Sequence, residues 1–171
     1  QFGKTPARLS LIRVGMNTDH IDHEGLISIP KALKKINSQY KTAHFGKWGM
    51  GSNPDVLGYD LSDGTTKNKD GGHINNKSQW ENTFKKDPKK IFSVTERALN
   101  FMKSCKAEKT PFYLQISHYA VHANIESKEI SYSRLKDKPK GEQQKNLGFA
   151  AMTFDLDEGL GIILKKIEEL G

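Results

Sequence analysis

Apolar residues recur every three or four positions in the first part of the chain that has a clear pattern, residues 29–36. Ser28 suits the N-cap of a helix there, and Pro30 suits its first turn. A different pattern begins at Tyr40, where threonine, alanine and aromatic residues run up to Gly46. The two patterns predict a helix over 29–36 followed by a short strand over 40–45.

A second helix and strand are predicted further along the chain. Asp87 and Pro88 suit its N-cap and first turn. Its predicted buried stripe consists of Ile91, Val94, Ala98, Phe101, Met102 and Cys105. Residues 112–116 are almost continuously apolar, which is typical of a central parallel strand covered on both faces.

A long helix is predicted over residues 146–170, at the end of the chain. Its predicted apolar side carries Ala150, Phe154, Leu160, Ile163, Leu164 and Ile167. On the same helix we expect Asp157 to make a buried hydrogen bond and Gly161 to allow a close helix contact. Two polar stretches, about 49–90 and 125–145, are predicted to be long excursions over the surface.

The alternation of helices and strands predicts an α/β fold. We expect a three-layer α/β/α domain with a mainly parallel central sheet, and residues 1–171 as a single domain. In such a sheet, ligands bind beyond the carboxyl ends of the strands, where the loops meet.

Charge and composition narrow the possible partners only slightly. The chain has 27 Lys and Arg against 20 Asp and Glu, a net charge of +7, which permits an anionic partner such as nucleic acid, a sulfated glycan or a membrane surface. Most lysine pairs stand where helices expose a solvated face. No apolar run approaches the ~20 residues that span a bilayer. The single cysteine, Cys105, is expected to pack in the core.

The candidate functional residues cluster where the two predicted strands end. The first ends in GKWGMG, residues 46–51, and the second in SHYAVH, residues 117–122. Lys47 and His122 would form a pocket for a tetrahedral anion. Lys47 would act as a point charge, and His122 as a hydrogen-bond donor or proton carrier. Alternatively, Lys47 is solvated and His122 is a loop residue that is hydrogen-bonded to the backbone. Asp63, Asn68 and His73 would line the same pocket or serve as turn residues.

Other common motifs for ligand binding and catalysis are missing. The sequence has no P-loop, no dinucleotide fingerprint, no Gly-x-Ser-x-Gly elbow and no His-Glu-x-x-His pair. A zinc site is the remaining metal alternative, and its candidate ligands would come from His20, His23, His44, His73, His118 and His122.

Three blocks of the sequence match a longer pattern. Residues 40–51, YKTAHFGKWGMG, with GYD at 58–60, resemble the signature Y-x-T-A-x-x-G-K-W-H-L-G … G-[FY]-D of the formylglycine-dependent sulfatases, a family of the alkaline phosphatase superfamily. Residues 111–122, PFYLQISHYAVH, are similar to the strand and loop of its P-H-x-P histidine. Residues 150–161 are similar to a helix that precedes the last catalytic strand of the family.

The resemblance implies that the chain is an internal part of a catalytic domain whose sheet is incomplete at both ends. GKTPAR, residues 3–8, resembles the segment that follows the family's nucleophile motif. The formylglycine nucleophile and the ligands of the calcium ion would then lie outside this chain. No metal ligands are expected within it, and the chain alone is expected to be inactive.

The resemblance also implies roles for individual residues. Lys47 matches the lysine that contacts the sulfate, and His122 matches the histidine that binds the sulfate or assists the leaving oxygen. Trp48, His73 and His118 would contact substrate. Gly49 stands where many members have a second histidine, which puts proton delivery in question.

The implied activity is sulfuric ester hydrolysis, with a sulfate ester, or a sulfated carbohydrate, as partner rather than nucleic acid. A periplasmic or extracellular location is expected. The alternatives are a phosphodiesterase or phosphonate hydrolase of the same superfamily, and a non-catalytic basic module that binds sulfated polysaccharide.

Overall fold

The computed structural model describes residues 27–171, so the GKTPAR segment, His20 and His23 lie outside the described residues. The helices are α1 (Ile29–Ile36), α2 (Ile91–Glu108), α3 (Glu129–Leu135) and α4 (Leu147–Leu170). The strands are β1 (Lys41–Gly46), β2 (Leu61–Ser62), β3 (Thr83–Phe84), β4 (Phe112–Ser117) and β5 (Glu126–Ser127).

The sheet is parallel, as predicted. Its three strands lie in the order β2-β1-β4, and β1 pairs with β4 along its whole length, from Lys41 opposite Phe112 to Gly46 opposite Ser117. A second, two-stranded parallel sheet joins β3 to β5. The α/β class is therefore confirmed, and the main sheet that the described residues form is small.

Helix α2 packs on one face of this sheet. The core between them consists of Ala43, Phe45, Val94, Ala98, Phe101, Cys105 and Tyr119, with Leu114 and Ile116 packed against it. The predicted α2 stripe is buried at every position, and Cys105 is a core residue with only 2% of its surface exposed. No helix within residues 27–171 is both long and apolar enough to cross a membrane.

The start of α2 differs from the prediction. Two consecutive lysines, Lys89 and Lys90, have φ values of 51° and 54°, so the regular helix begins only at Ile91. Asp87 still serves as a cap, because its Oδ1 accepts the backbone N–H of Phe92 at 2.8 Å. The cap and the helix are separated by a left-handed turn.

The buried face of α4 also differs from the prediction. Leu160, Leu164 and Ile167 are 42%, 62% and 49% exposed. The side that packs against the rest of the molecule instead consists of Gly148, Ala151, Met152, Asp155, Gly159 and Ile163. Small residues dominate there because the helix approaches its neighbours closely.

The two polar stretches contain more structure than expected. The first holds β2, which joins the main sheet, and Tyr59, which is buried. Within the second, β5 and α3 are packed against α4, so neither stretch is only a surface loop.

Candidate functional site

The end of β1 and the end of β4 lie side by side at one edge of the sheet. Gly46 and Ser117 are register partners, and the N–H of Lys47 donates to the carbonyl of Ser117 at 2.6 Å. Lys47 and the loop that leads to His122 therefore leave the sheet at the same edge. This is the placement that the sequence predicted for parallel strands.

The turn after β1 is held by the segment that follows β2. Asp63 Oδ2 accepts the N–H of Gly46 at 2.7 Å. The hydroxyl of Thr66 donates to the carbonyl of Gly46 at 2.5 Å and accepts the N–H of Trp48 at 2.9 Å. The N–H of Gly49 donates to the carbonyl of Thr66. These bonds satisfy the backbone of the turn and fix where Lys47 emerges.

The side chain of Lys47 is half-buried, and no ion pair within residues 27–171 involves it. Two other cations do form ion pairs: Arg97 with Asp63 at 2.7 Å, and Lys34 with Asp60 at 2.6 Å. An ammonium group without a carboxylate partner favours an anion from solution.

Trp48 packs within an aromatic cluster on the face of the sheet away from α2. Its ring stands edge-on to His44, with centroids 4.8 Å apart, and to Tyr59 at 5.7 Å. Its indole N–H donates to the carbonyl of Ser52 at 2.5 Å. The ring thus supports the Lys47 turn from within; a direct contact of Trp48 with substrate stays a prediction.

His44 is fully buried beneath the same cluster. Its Nε2 lies 3.1 Å from the hydroxyl of Ser117, which links β1 to β4 through side chains. Burial lowers the pKa of His44. The ring is therefore a neutral structural group at neutral pH.

The structure brings His73 and His122 into contact. Their ring centroids are 4.7 Å apart at an interplanar angle of 82°. The Nδ1 atoms of both rings lie within hydrogen-bond distance of one carbonyl, that of Ala123, at 2.8 Å for His73 and 2.7 Å for His122. The imidazole of His122 is exposed at the surface. A residue of the long polar stretch thus stands beside the predicted site histidine.

His118 has different surroundings. Both of its ring nitrogens are buried, and neither has a hydrogen-bond partner among the described residues. Burial lowers the pKa of His118. Within residues 27–171, no hydrogen bond or aromatic ring pair joins this ring to His73 or His122, and its role in substrate binding stays a prediction.

Sequence reasoning gave Asp63, Asn68 and His73 two possible roles as a group and also named His73 as a substrate contact. Asp63 bonds to the end of β1, whereas Asn68 and His73 contact the loop that follows β4. Asn68 Nδ2 lies 3.2 Å from His122 Nε2. Thr66 and Asn124 were missed; Asn124 Oδ1 accepts the N–H of Ile74 at 2.7 Å. No sequence pattern distinguishes them from ordinary polar loop residues.

No group of three or more His, Cys, Asp or Glu side chains suited to a metal ion occurs within residues 27–171. The resemblance implies calcium ligands outside this chain, so this finding does not test them, and we derive no step through a metal ion. Calcium and formylglycine remain expectations about residues outside this chain.

The sequence matches no protein-family model and no curated protein. Solved structures do match. A crystal structure of Ps i-CgsB aligns with a TM-score of 0.60 and 19% identity over 82% of this chain and 36% of that chain. A second, Ps i-CgsB in complex with k-i-k-neocarrahexaose, aligns with a TM-score of 0.58 and 18% identity over 80% of this chain and 36% of that chain.

This likeness shows that the chain has the α/β fold of those structures. The chain spans about a third of their length, 36% in both cases. Fold alone does not assign an activity, because one fold supports many.

Proposed function

We propose that this chain is part of a sulfatase-type hydrolase and that Lys47 and His122 bind the sulfuryl group of a sulfate ester. The parallel register of β1 and β4 carries the proposal, because it places the Lys47 turn and the His122 loop at one edge of the sheet. The matching Gly-Lys-Trp and histidine blocks support it, as does the likeness to the Ps i-CgsB fold.

The two side chains would act on the charge of the sulfuryl oxygens. Lys47 supplies a fixed positive charge, and such a charge stabilises negative charge that develops on the oxygens during ester cleavage. His122 supplies a ring nitrogen that can donate a hydrogen bond to the anion or carry a proton. The nucleophile is implied by the resemblance alone, which assigns it to a segment outside this chain.

Sulfate binding by the chain tests this proposal. We expect Lys47→Ala to weaken sulfate binding by about tenfold or more, because a charge-assisted contact contributes about 1.5–3 kcal/mol. Calorimetry with sodium sulfate measures it, and Lys165→Ala, a surface lysine of α4, is the matched control. Equal affinities of the two variants would contradict a specific role of Lys47.

The reaction class is tested on the full-length protein that contains this chain. Turnover of an aryl sulfate that exceeds turnover of the aryl phosphate supports a sulfatase. The reverse order favours the alternative, a phosphodiesterase or phosphonate hydrolase of the same superfamily.

We further propose a sulfated carbohydrate as the substrate class. The Ps i-CgsB structure with a carrageenan oligosaccharide supports this, as does an exposed aromatic and basic surface that continues from the His73 contact. The carbonyl of Gln79 accepts the N–H of Ile125 at 3.0 Å, which holds the 73–79 segment beside the His122 loop. The next residue, Trp80, is 61% exposed, and Lys77 and Lys86 are also exposed.

Trp80→Ala is expected to weaken binding of a carrageenan oligosaccharide about tenfold, because stacking of a sugar on an indole ring is lost. Affinity electrophoresis in carrageenan measures the effect. Ile36→Ala, an apolar residue of α1 that is 82% exposed, is the control for general loss of surface hydrophobicity. If both variants bind alike, the 73–80 surface is not the carbohydrate site.

A non-catalytic basic module is the competing proposal. Its binding would be spread over several lysine clusters and would fall steeply with salt. Unchanged heparin-column retention of Lys47→Ala, together with loss of retention when α4 loses Lys165 and Lys166, would favour that proposal. A periplasmic or extracellular location remains a prediction from the resemblance.

A further inference from the structure

We infer that Asn68 is a positioning residue for His122 and that its carboxamide serves both protonation states of the imidazole. The inference rests on the proposed function, in which His122 binds an anion and exchanges a proton. Asn68 begins the short turn Asn68–Gly71, in the segment that follows β2. This segment lies beside the His122 loop, at the edge of the sheet where β1 and β4 end.

The contacts of His122 assign a tautomer to the neutral ring. Asn68 Nδ2 is only a donor, and it lies 3.2 Å from Nε2, so Nε2 must accept. Nδ1 lies 2.7 Å from the carbonyl of Ala123, which is only an acceptor, so Nδ1 must carry the hydrogen. The two partners together fix the neutral ring with its proton on Nδ1.

The other end of the Asn68 carboxamide has no hydrogen-bond partner among residues 27–171. Its Oδ1 is buried and accepts no hydrogen bond from any described residue. Buried amide oxygens are normally bonded, so an unpaired one calls for an explanation. The two ends of a carboxamide are nearly equal in size, and a half-turn of the group therefore exchanges Oδ1 and Nδ2 within the same space.

That exchange suits a protonated His122. When Nε2 gains a proton from solvent, both ring nitrogens become donors. Nδ1 continues to donate to Ala123, and Nε2 then donates to Oδ1 of the turned Asn68. The ring keeps its place and Oδ1 gains a partner, while Nδ2 takes the buried position that Oδ1 leaves, so His122 can take up and release a proton without moving.

No carboxylate among the described residues bonds to the His122 ring, which leaves Asn68 and Ala123 as its hydrogen-bond partners there. Besides His122 itself, the charged or titratable groups on residues 67–73 and 118–126 are Lys67, Lys69, Asp70, His73, His118, Tyr119 and Glu126. All seven stay unchanged when position 68 alone is varied. Such variants therefore isolate the effect of the carboxamide.

The test is NMR of the ring nitrogens in ¹⁵N-histidine-labelled chain, with the His122 signals assigned by His122→Gln. In the unaltered chain at high pH we expect Nδ1 at an N–H shift and Nε2 at a lone-pair shift. Asn68→Leu removes the donor, so the Nε2 signal should move towards the N–H range as the two tautomers mix. Asn68→Asp offers only acceptors, so at neutral pH both nitrogens should show N–H shifts.

The His44 ring is the internal control, because its Nε2 contacts Ser117 and not Asn68. Unchanged His44 signals show that a variant is folded, and Asn68→Ser provides a second, smaller donor and acceptor if Asn68→Leu fails to fold. His122 shifts in a folded variant that equal those of the unaltered chain overturn the inference.

Sodium sulfate added to the unaltered chain separates this inference from the proposed function. Sulfate that leaves the His122 signals in place argues against anion binding there, whereas the tautomer result still decides the role of Asn68.

Discussion

Gly46→Ala should lower the free energy of unfolding by about 4 kcal/mol, through left-handed strain and steric overlap together. Gly46 ends β1 with a φ of +97°, and a Cβ there would lie 2.1 Å from the carbonyl oxygen of Ser117. That oxygen belongs to the backbone of β4 and already accepts the N–H of Lys47, so it cannot move aside cheaply. Urea unfolding followed by circular dichroism measures the loss.

Gly64→Ala separates the two causes. Gly64 also has a left-handed φ, +76°, but a Cβ there would meet nothing within 4 Å. We expect that variant to lose only about 1 kcal/mol, the cost of the backbone conformation. If the two variants lose equal stability, the close approach of the strand ends does not contribute, and the placement of Lys47 loses its structural basis.

Asp155→Ala should destabilise the protein by about 3 kcal/mol, because it removes a buried carboxylate and leaves its donors unpaired. Asp155 lies on α4 and is fully buried. It accepts the hydroxyl of Ser131, from α3, at 2.5 Å and the N–H of Lys128, at the end of β5, at 2.8 Å. Burial raises the pKa of Asp155, although both hydrogen bonds act in the opposite direction. One side chain thus joins three elements.

Asp157→Ala is the control on the same helix. Asp157 is exposed, and its removal should change the free energy of unfolding by no more than about 0.5 kcal/mol. Thermal unfolding of the two variants side by side shows the difference. If Asp157→Ala lowered the stability much more than Asp155→Ala, the α4 face that carries residue 157 would be the buried one, which would contradict this orientation of the helix.

The same pair of aspartates shows where sequence patterns mislead. Residue 157 was predicted to make the buried hydrogen bond, and residue 155 makes it. The large apolar residues Leu160, Leu164 and Ile167 suggested the wrong side of α4, because periodicity reports hydrophobicity and not how close two helices come. A Cβ at Gly159 would lie 2.8 Å from Ile91 Cγ2, so contact with α2 selects the glycine face.

Local signals predicted other elements well. The predicted α1 bounds, 29–36, match the structure, and Ser28 caps the helix by accepting the N–H of Lys31. β1 and β4 were predicted to within one residue at each end and are parallel neighbours. These elements depend on residues that lie next to each other in the sequence, which is why pattern suffices there.

The candidate site was predictable only in outline. The sequence placed Lys47 and His122 at strand ends, and the sheet topology does bring both ends to one edge. The sequence could not show that Asn68 and His73 lie beside His122. Contacts between the 68–73 segment and the His122 loop depend on tertiary packing and carry no local signature. Whether Lys47 and His122 bind sulfate stays a prediction.

The hydrogen bond between His44 and Ser117 joins residues 73 positions apart in the chain. Between them lie the long polar stretch and α2, and closing a loop of that length costs entropy before any contact stabilises it. The β1 and β4 pair, and with it the edge that carries Lys47, should therefore form late in folding. In pulse-labelling hydrogen exchange, the amides of α2 and α4 should gain protection before those of Gly46, Lys47 and Trp48.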